Sequence, residues 1–295
     1  MPAGGSTQGA SYGQGRDRRN DKNLRAGGGF AKFGRGIGDR RGRSMRAYDW
    51  FMLATLAAVA LAIGSFVANL AVRLPAGESM DGRSRCPHCG HRLGVGDLVP
   101  LASWAALRGR CRYCHDAISV YYPLVELAAL GLALWAWTAM SGWLVPASSF
   151  LGWTLLALAL IDWRHFILPD VLTLPLVPAG LAVAWFAAPD SLIDNAIGAV
   201  VGYGLFTLVA WAYHRWRGRH GLGAGDAKLL GALGAWVGAG GLPSLVLVAS
   251  LLALVAALTA GWLGGRPLSR LDRVPFGPFL AAAGWVVWLY GPLLG

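Results

Sequence analysis

The chain has 295 residues, 55% of them hydrophobic and only 14% charged, where an average soluble domain carries about 25% charged residues. That deficit argues against a soluble globular protein and for a bilayer. The 14 Trp and 42 Gly suit the same reading, because Trp collects at membrane interfaces and Gly is frequent in membrane helices. A net charge of +11 does not imply nucleic acid as a partner, since eleven of the 26 Lys and Arg crowd into residues 1–46 and the others lie between apolar runs.

Residues 1–46 are rich in Gly, Arg, Ser, Gln and Asn and cannot bury enough surface to offset their ordering entropy, so they are expected to form a disordered basic extension. Apolar stretches follow at about 49–72, 120–141, 143–161, 171–188, 192–213, 227–240, 243–264 and 275–294, most of them near the roughly 20 residues that span hydrocarbon. The run from 227 to 263 is too long for one span, and Gly238-Ala-Gly-Gly-Leu-Pro243 divides it. The expected fold is an all-α polytopic membrane protein of about eight transmembrane helices: a first helix over 47–72, a small zinc-stapled loop domain over 73–119 and a membrane domain over 120–295.

Basic residues set the orientation. The 73–119 loop holds seven, the 162–170 turn holds Arg164, the 214–228 loop holds four and the 265–274 loop holds three, while the intervening loops hold none. The positive-inside rule puts these alternate loops in the cytoplasm. The basic extension pulls the other way, and Met45, just before Arg46-Ala-Tyr-Asp-Trp50, offers a natural start that would make residues 1–44 dispensable.

Cys86-Pro-His-Cys89 and Cys111-Arg-Tyr-Cys114 are separated by twenty-one residues, close to the spacing of a four-thiolate zinc site. A loop this small needs a staple, and a cytoplasmic setting disfavours disulfides. Four thiolates satisfy tetrahedral zinc, so His88, His91 and His115 are read as surface residues.

Asp162 closes the third span and Asp226 opens the sixth. A carboxylate at such a position is costly enough to imply function. Two carboxylates at one depth on different helices can share a proton around a water, one acting as acid and the other as base, as an aspartyl protease requires. Gly223 and Gly225 would support close backbone approach to a substrate and place Asp226 at a helix start. The plainer alternatives are an N-cap for Asp226 and headgroup contact for Asp162. Asp170 reads as a helix-start residue. His165 and Lys228 flank the pair, and Glu126, early in the second span, could pair with a loop Arg or help bind a cofactor.

These constellations, together with Gly64-Ser-Phe66, Arg73-Leu-Pro75, Tyr122-Pro-Leu-Val-Glu-Leu127, Leu168-Pro-Asp-Val-Leu-Thr173, Gly223-Ala-Gly-Asp-Ala-Lys228 and Pro275-Phe-Gly-Pro-Phe279, resemble the type IV prepilin peptidases. The resemblance implies a bacterial inner-membrane enzyme with Asp162 and Asp226 as its catalytic pair at the cytoplasmic face. It implies leader cleavage of prepilins or type II secretion pseudopilins, and a cysteine loop belonging to the part that N-methylates the new terminus with S-adenosylmethionine. The chain departs from the family pattern at Asn69 and at Asp97-Leu-Val-Pro100, both on the methyltransferase side. A proton-coupled transporter also uses paired intramembrane carboxylates but leaves the cysteines unexplained. A protease without methyl transfer is the other alternative. The chain lacks H-E-x-x-H and G-x-S-x-G.

Overall fold

The computed structural model describes residues 47–80, 82, 84–217, 223–263 and 274–293. The extension over 1–46, with Met45, and the topology-setting Arg83, Arg219, Arg266, Arg270 and Arg273 lie outside the described residues. Eight α-helices are present among those described: α1 (Ala47–Arg73), α2 (Ala102–Ala106), α3 (Tyr121–Ala139), α4 (Leu144–His165), α5 (Asp170–Ala187), α6 (Leu192–Arg217), α7 (Ala224–Leu263) and α8 (Gly277–Tyr290). All but the short α2 are apolar, and six are long and apolar enough to cross a membrane. The 40-residue α7 is interrupted at Gly238, whose φ of 72° and ψ of 171° are not helical. Counting its two halves separately gives eight apolar helical segments, as the hydropathy pattern predicts.

The break is narrower than the sequence suggests. It falls at Gly238 alone, and Pro243 remains within helix. Asn195, buried at the start of α6, donates from Nδ2 to the carbonyls of Ala235 (2.8 Å) and Trp236 (3.2 Å). Carbonyls loosened by a helix break inside a membrane must find a partner in the protein, and Asn195 supplies it.

Helices in lipid gain little from hydrophobic burial against one another and associate through close packing, which favours small residues. The pairing of α6 with α7 follows that rule. A Cβ added to Gly202 would lie 2.7 Å from the Leu230 carbonyl oxygen, and one added to Gly231 would lie 2.9 Å from the Tyr203 Cβ. Tryptophan departs in part from the interfacial expectation. Trp236, Trp285 and Trp288 are buried, and for two of them the indole N–H finds an acceptor inside the bundle. Trp236 donates to the Leu176 carbonyl (2.8 Å) and Trp288 to the Ser148 hydroxyl (2.9 Å).

Among its described residues the segment between α1 and α3 has no strand, only isolated antiparallel bridges at Arg85–Arg92 and Arg110–Ala117. Each bridge encloses one cysteine pair in a tight turn. In the first turn Cys86 N–H donates to His91 and Gly90 N–H to Cys86; in the second Cys111 N–H donates to Asp116 and His115 N–H to Cys111. The left-handed position is Gly90 (φ 69°) in one and His115 (φ 61°) in the other.

Candidate active site and metal centre

Asp162 lies in the last turn of α4 and is 5% exposed. Its Oδ2 accepts the backbone N–H of Gly277 at 3.0 Å. Gly277 is the first residue of α8, where backbone N–H groups have no helical acceptor and the helix dipole favours negative charge. Asp226 lies in the first turn of α7, two residues inside its start at Ala224. It is therefore not the N-cap. Its backbone N–H donates to the Gly223 carbonyl at 3.1 Å, and its carboxylate takes a hydrogen bond from the Gly223 backbone.

The structure brings the two aspartates to the same end of the bundle, close enough for their charges to interact. Buried Leu168 wedges between their supports. A Cβ on Gly225 would lie 2.9 Å from the Leu168 Cβ, and one on Gly277 would lie 3.2 Å from its Cδ2. Gly225 thus makes room for Leu168 of the same chain. Lys228 donates to both carboxylate oxygens of Asp170 at 2.7 and 2.8 Å, tying the start of α7 to the start of α5. His165 is exposed at the end of α4. The role of Gly277 was missed in the sequence, because nothing in Pro275-Phe-Gly-Pro-Phe279 says which acceptor its N–H will meet.

The sulfur atoms of Cys86, Cys89, Cys111 and Cys114 lie within 4.8 Å of one another, and could hold a metal ion. Cys86 and Cys114 are 3.8 Å apart, which matches the edge of about 3.8 Å in a tetrahedron with metal–sulfur bonds of about 2.3 Å. The donors present therefore fit a tetrahedral thiolate-binding ion. A backbone hydrogen bond at Cys89 leads the effects that lower the Cys86 thiol to about 6. At Cys114 a backbone hydrogen bond from Asp116 acts in the same direction, but burial and the neighbouring sulfurs outweigh it and push that thiol up to about 12. The three histidines stand outside the set: His88 faces Asp116 at 3.8 Å and His91 stacks on Tyr113.

Among the described residues, no loop arginine pairs with Glu126. It is 6% exposed, and its Oε2 accepts the backbone N–H of Leu101 at 2.8 Å. The ends of α3 and α4 nearest these sites also touch: the Arg164 guanidinium, two residues beyond Asp162, sits 3.9 Å over the ring of Tyr121 at the start of α3.

Comparison with known proteins decides between the readings left open. The Bacterial Peptidase A24 N-terminal domain matches residues 58–140, and the Type IV leader peptidase family matches residues 149–258. A Prepilin leader peptidase/N-methyltransferase of Aeromonas hydrophila is 44% identical over 211 residues, covering 71% of this chain and 72% of the relative. One from Dichelobacter nodosus is 42% identical over 213 residues, 72% of each chain. The chain belongs to this family. A further member, from Pseudomonas aeruginosa, is 43% identical over 209 residues, 70% of this chain and 71% of its own. No solved structure matches. The first family match contains all four cysteines and Glu126, the second contains both aspartates, and the transporter reading is displaced.

Proposed function

We propose that this polytopic enzyme of the prepilin leader peptidase/N-methyltransferase family cleaves type IV prepilins or type II secretion pseudopilins with Asp162 and Asp226, at the cytoplasmic face of the bacterial inner membrane. The observation that carries the reading is the meeting of two carboxylates, from α4 and α7, at the bundle end that also bears the cysteine loop. That loop and the Arg164 turn are basic, which supports a cytoplasmic position. A substrate whose leader stays in the cytoplasm presents its scissile bond there.

Asp162 has one oxygen, Oδ2, committed to Gly277, so its Oδ1 is the atom that meets water. Two carboxylates that share a site around one water hold one proton between them. The ionised member takes a proton from water, the hydroxide formed attacks the peptide carbonyl, and the protonated member donates to the carbonyl oxygen. Collapse of the tetrahedral species breaks the C–N bond, and the leaving amine takes a proton from the pair. Gly277 fixes the carboxylate, while Leu168 sets the spacing between the two supports and excludes water beside them.

Zinc held by Cys86, Cys89, Cys111 and Cys114 would supply folding free energy that so small a loop lacks. S-adenosylmethionine, when bound, supplies an electrophilic methyl group for the new amino terminus. The supporting glycines act by packing: Gly225 admits Leu168, and Gly223 meets the Asp226 carboxylate. The test is processing of a prepilin-like substrate in liposomes by Asp162→Asn and Asp226→Asn, scored by product mobility. Asn keeps the shape but cannot relay the proton, so each variant should leave the substrate intact; substantial cleavage by either removes the two-aspartate mechanism.

A further inference from the structure

A cavity of about 580 Å³ lies between α1, the cysteine loop and the start of α3, within the range of about 300–1,000 Å³ typical of small-molecule sites. Its walls combine charge with aromatic surface: Arg73 from α1, Trp104 from the loop, Tyr122 and Glu126 from α3. It is separate from the aspartate pair, and no step of proteolysis uses it.

Glu126 is the informative wall residue. A carboxylate that is 6% exposed must be paid for by specific partners, and the chain distorts its backbone to provide one. Leu101, which donates its N–H to Glu126, has φ 58° and ψ −48°, a conformation that costs a branched side chain energy and marks a constrained site. The position of α3 is equally fixed, since a Cβ on Gly64 would lie 2.7 Å from the Glu126 Cα. A buried carboxylate, an arginine and two aromatic rings around one cavity suit a cationic nucleoside that also carries a carboxylate.

We infer that this cavity binds the methyl donor, S-adenosylmethionine, with Glu126 facing its sulfonium. The inference rests on the methyl-transfer reading and locates it. The spent donor is a neutral thioether, so Glu126 favours loaded over spent cofactor. Tyr121, adjacent to the wall residue Tyr122, touches Arg164, two residues beyond Asp162, so the cavity and the aspartates lie toward the same end of the bundle.

The experiment is equilibrium binding of S-adenosylmethionine and S-adenosylhomocysteine to the full chain in nanodiscs by calorimetry, with ultraviolet crosslinking of labelled donor and peptide mapping. Glu126→Gln should weaken donor binding by at least about tenfold, as expected for losing a charge opposite the sulfonium, while binding of the thioether changes little. Glu126→Asp should keep the preference for the sulfonium. Ser65→Trp, on the α1 wall, should block both ligands, with thermal melting as the control for folding. If the wild-type chain binds donor but the variants bind it equally and the crosslink maps elsewhere, the cavity assignment is overturned and methyl transfer stands. Failure of the wild-type chain to bind any donor overturns both.

Discussion

Gly277→Ala tests the geometry of the aspartate pair without touching either carboxylate. The added methyl carbon would lie 2.6 Å from Asp162 Oδ2 and 3.0 Å from its Cγ, whereas carbon–oxygen contacts settle at about 3.3 Å or more. Asp162 or the start of α8 must therefore move by about 0.7 Å, and Leu168, 3.2 Å from the same methyl, blocks part of the retreat. Since a misplacement of about 1 Å can cost about 100-fold in rate, kcat/KM for leader cleavage should fall between about 10- and 100-fold. That corresponds to about 1.4–2.7 kcal/mol of lost transition-state stabilisation. The assay is cleavage of a purified prepilin-like substrate at several concentrations in detergent. Gly204→Ala serves as the comparison, because a Cβ there meets nothing within 4 Å. A Gly277→Ala enzyme that cleaves at the wild-type rate would refute the claim that this N–H positions Asp162.

Other outcomes follow from contacts elsewhere. Cys86→Ser should leave the purified protein without stoichiometric zinc after dialysis against a chelator, as elemental analysis would show; freely reactive thiols and no zinc in the wild type would dismiss the metal. Asn195→Leu strips two carbonyls at the α7 break of their partner and should destabilise the protein by about 2 kcal/mol or more, read from unfolding in mixed detergent. Lys228→Met removes an ion pair whose side chains are 32% and 54% exposed, so stability should drop by no more than about 1 kcal/mol. In a double-mutant cycle with Asp170→Asn, a coupling well above that would show the pair to be more than a surface tether.

The sequence made the chemistry legible and the supports illegible, for different physical reasons. A charge at the end of an apolar run is conspicuous because hydrocarbon penalises it, and thiol pairs are conspicuous because tetrahedral coordination constrains their spacing. Asp162, Asp226 and the four cysteines announce themselves in this way. Gly277, Leu168 and Leu101 do not, since two act through a main-chain N–H and one through an ordinary aliphatic side chain, and only tertiary placement says what those groups meet. The same holds for Glu126. Its burial cost is visible in the chain, but the Leu101 partner depends on a backbone turn 25 residues away. The Gly-rich run from 238 to 243 predicts a break in α7, yet its confinement to Gly238 reflects Asn195 on another helix.

The break in α7 bears on how deeply the aspartate end of the bundle can sit. Ala224 to Val237 comprises 14 residues, as does α8, so each is about 21 Å long. They are neighbours in the bundle, with Trp236 and Trp288 in edge-to-face contact at 5.1 Å, and their first turns carry Asp226 and Gly277. A hydrocarbon layer of about 30 Å exceeds both by about 9 Å. Both segments are largely buried among the other helices, so the shortfall falls inside the protein rather than against lipid, and water can enter there without thinning the bilayer. A cleavage site next to an apolar helix can then be met below the plane of the surrounding headgroups, without drawing that helix out of the membrane.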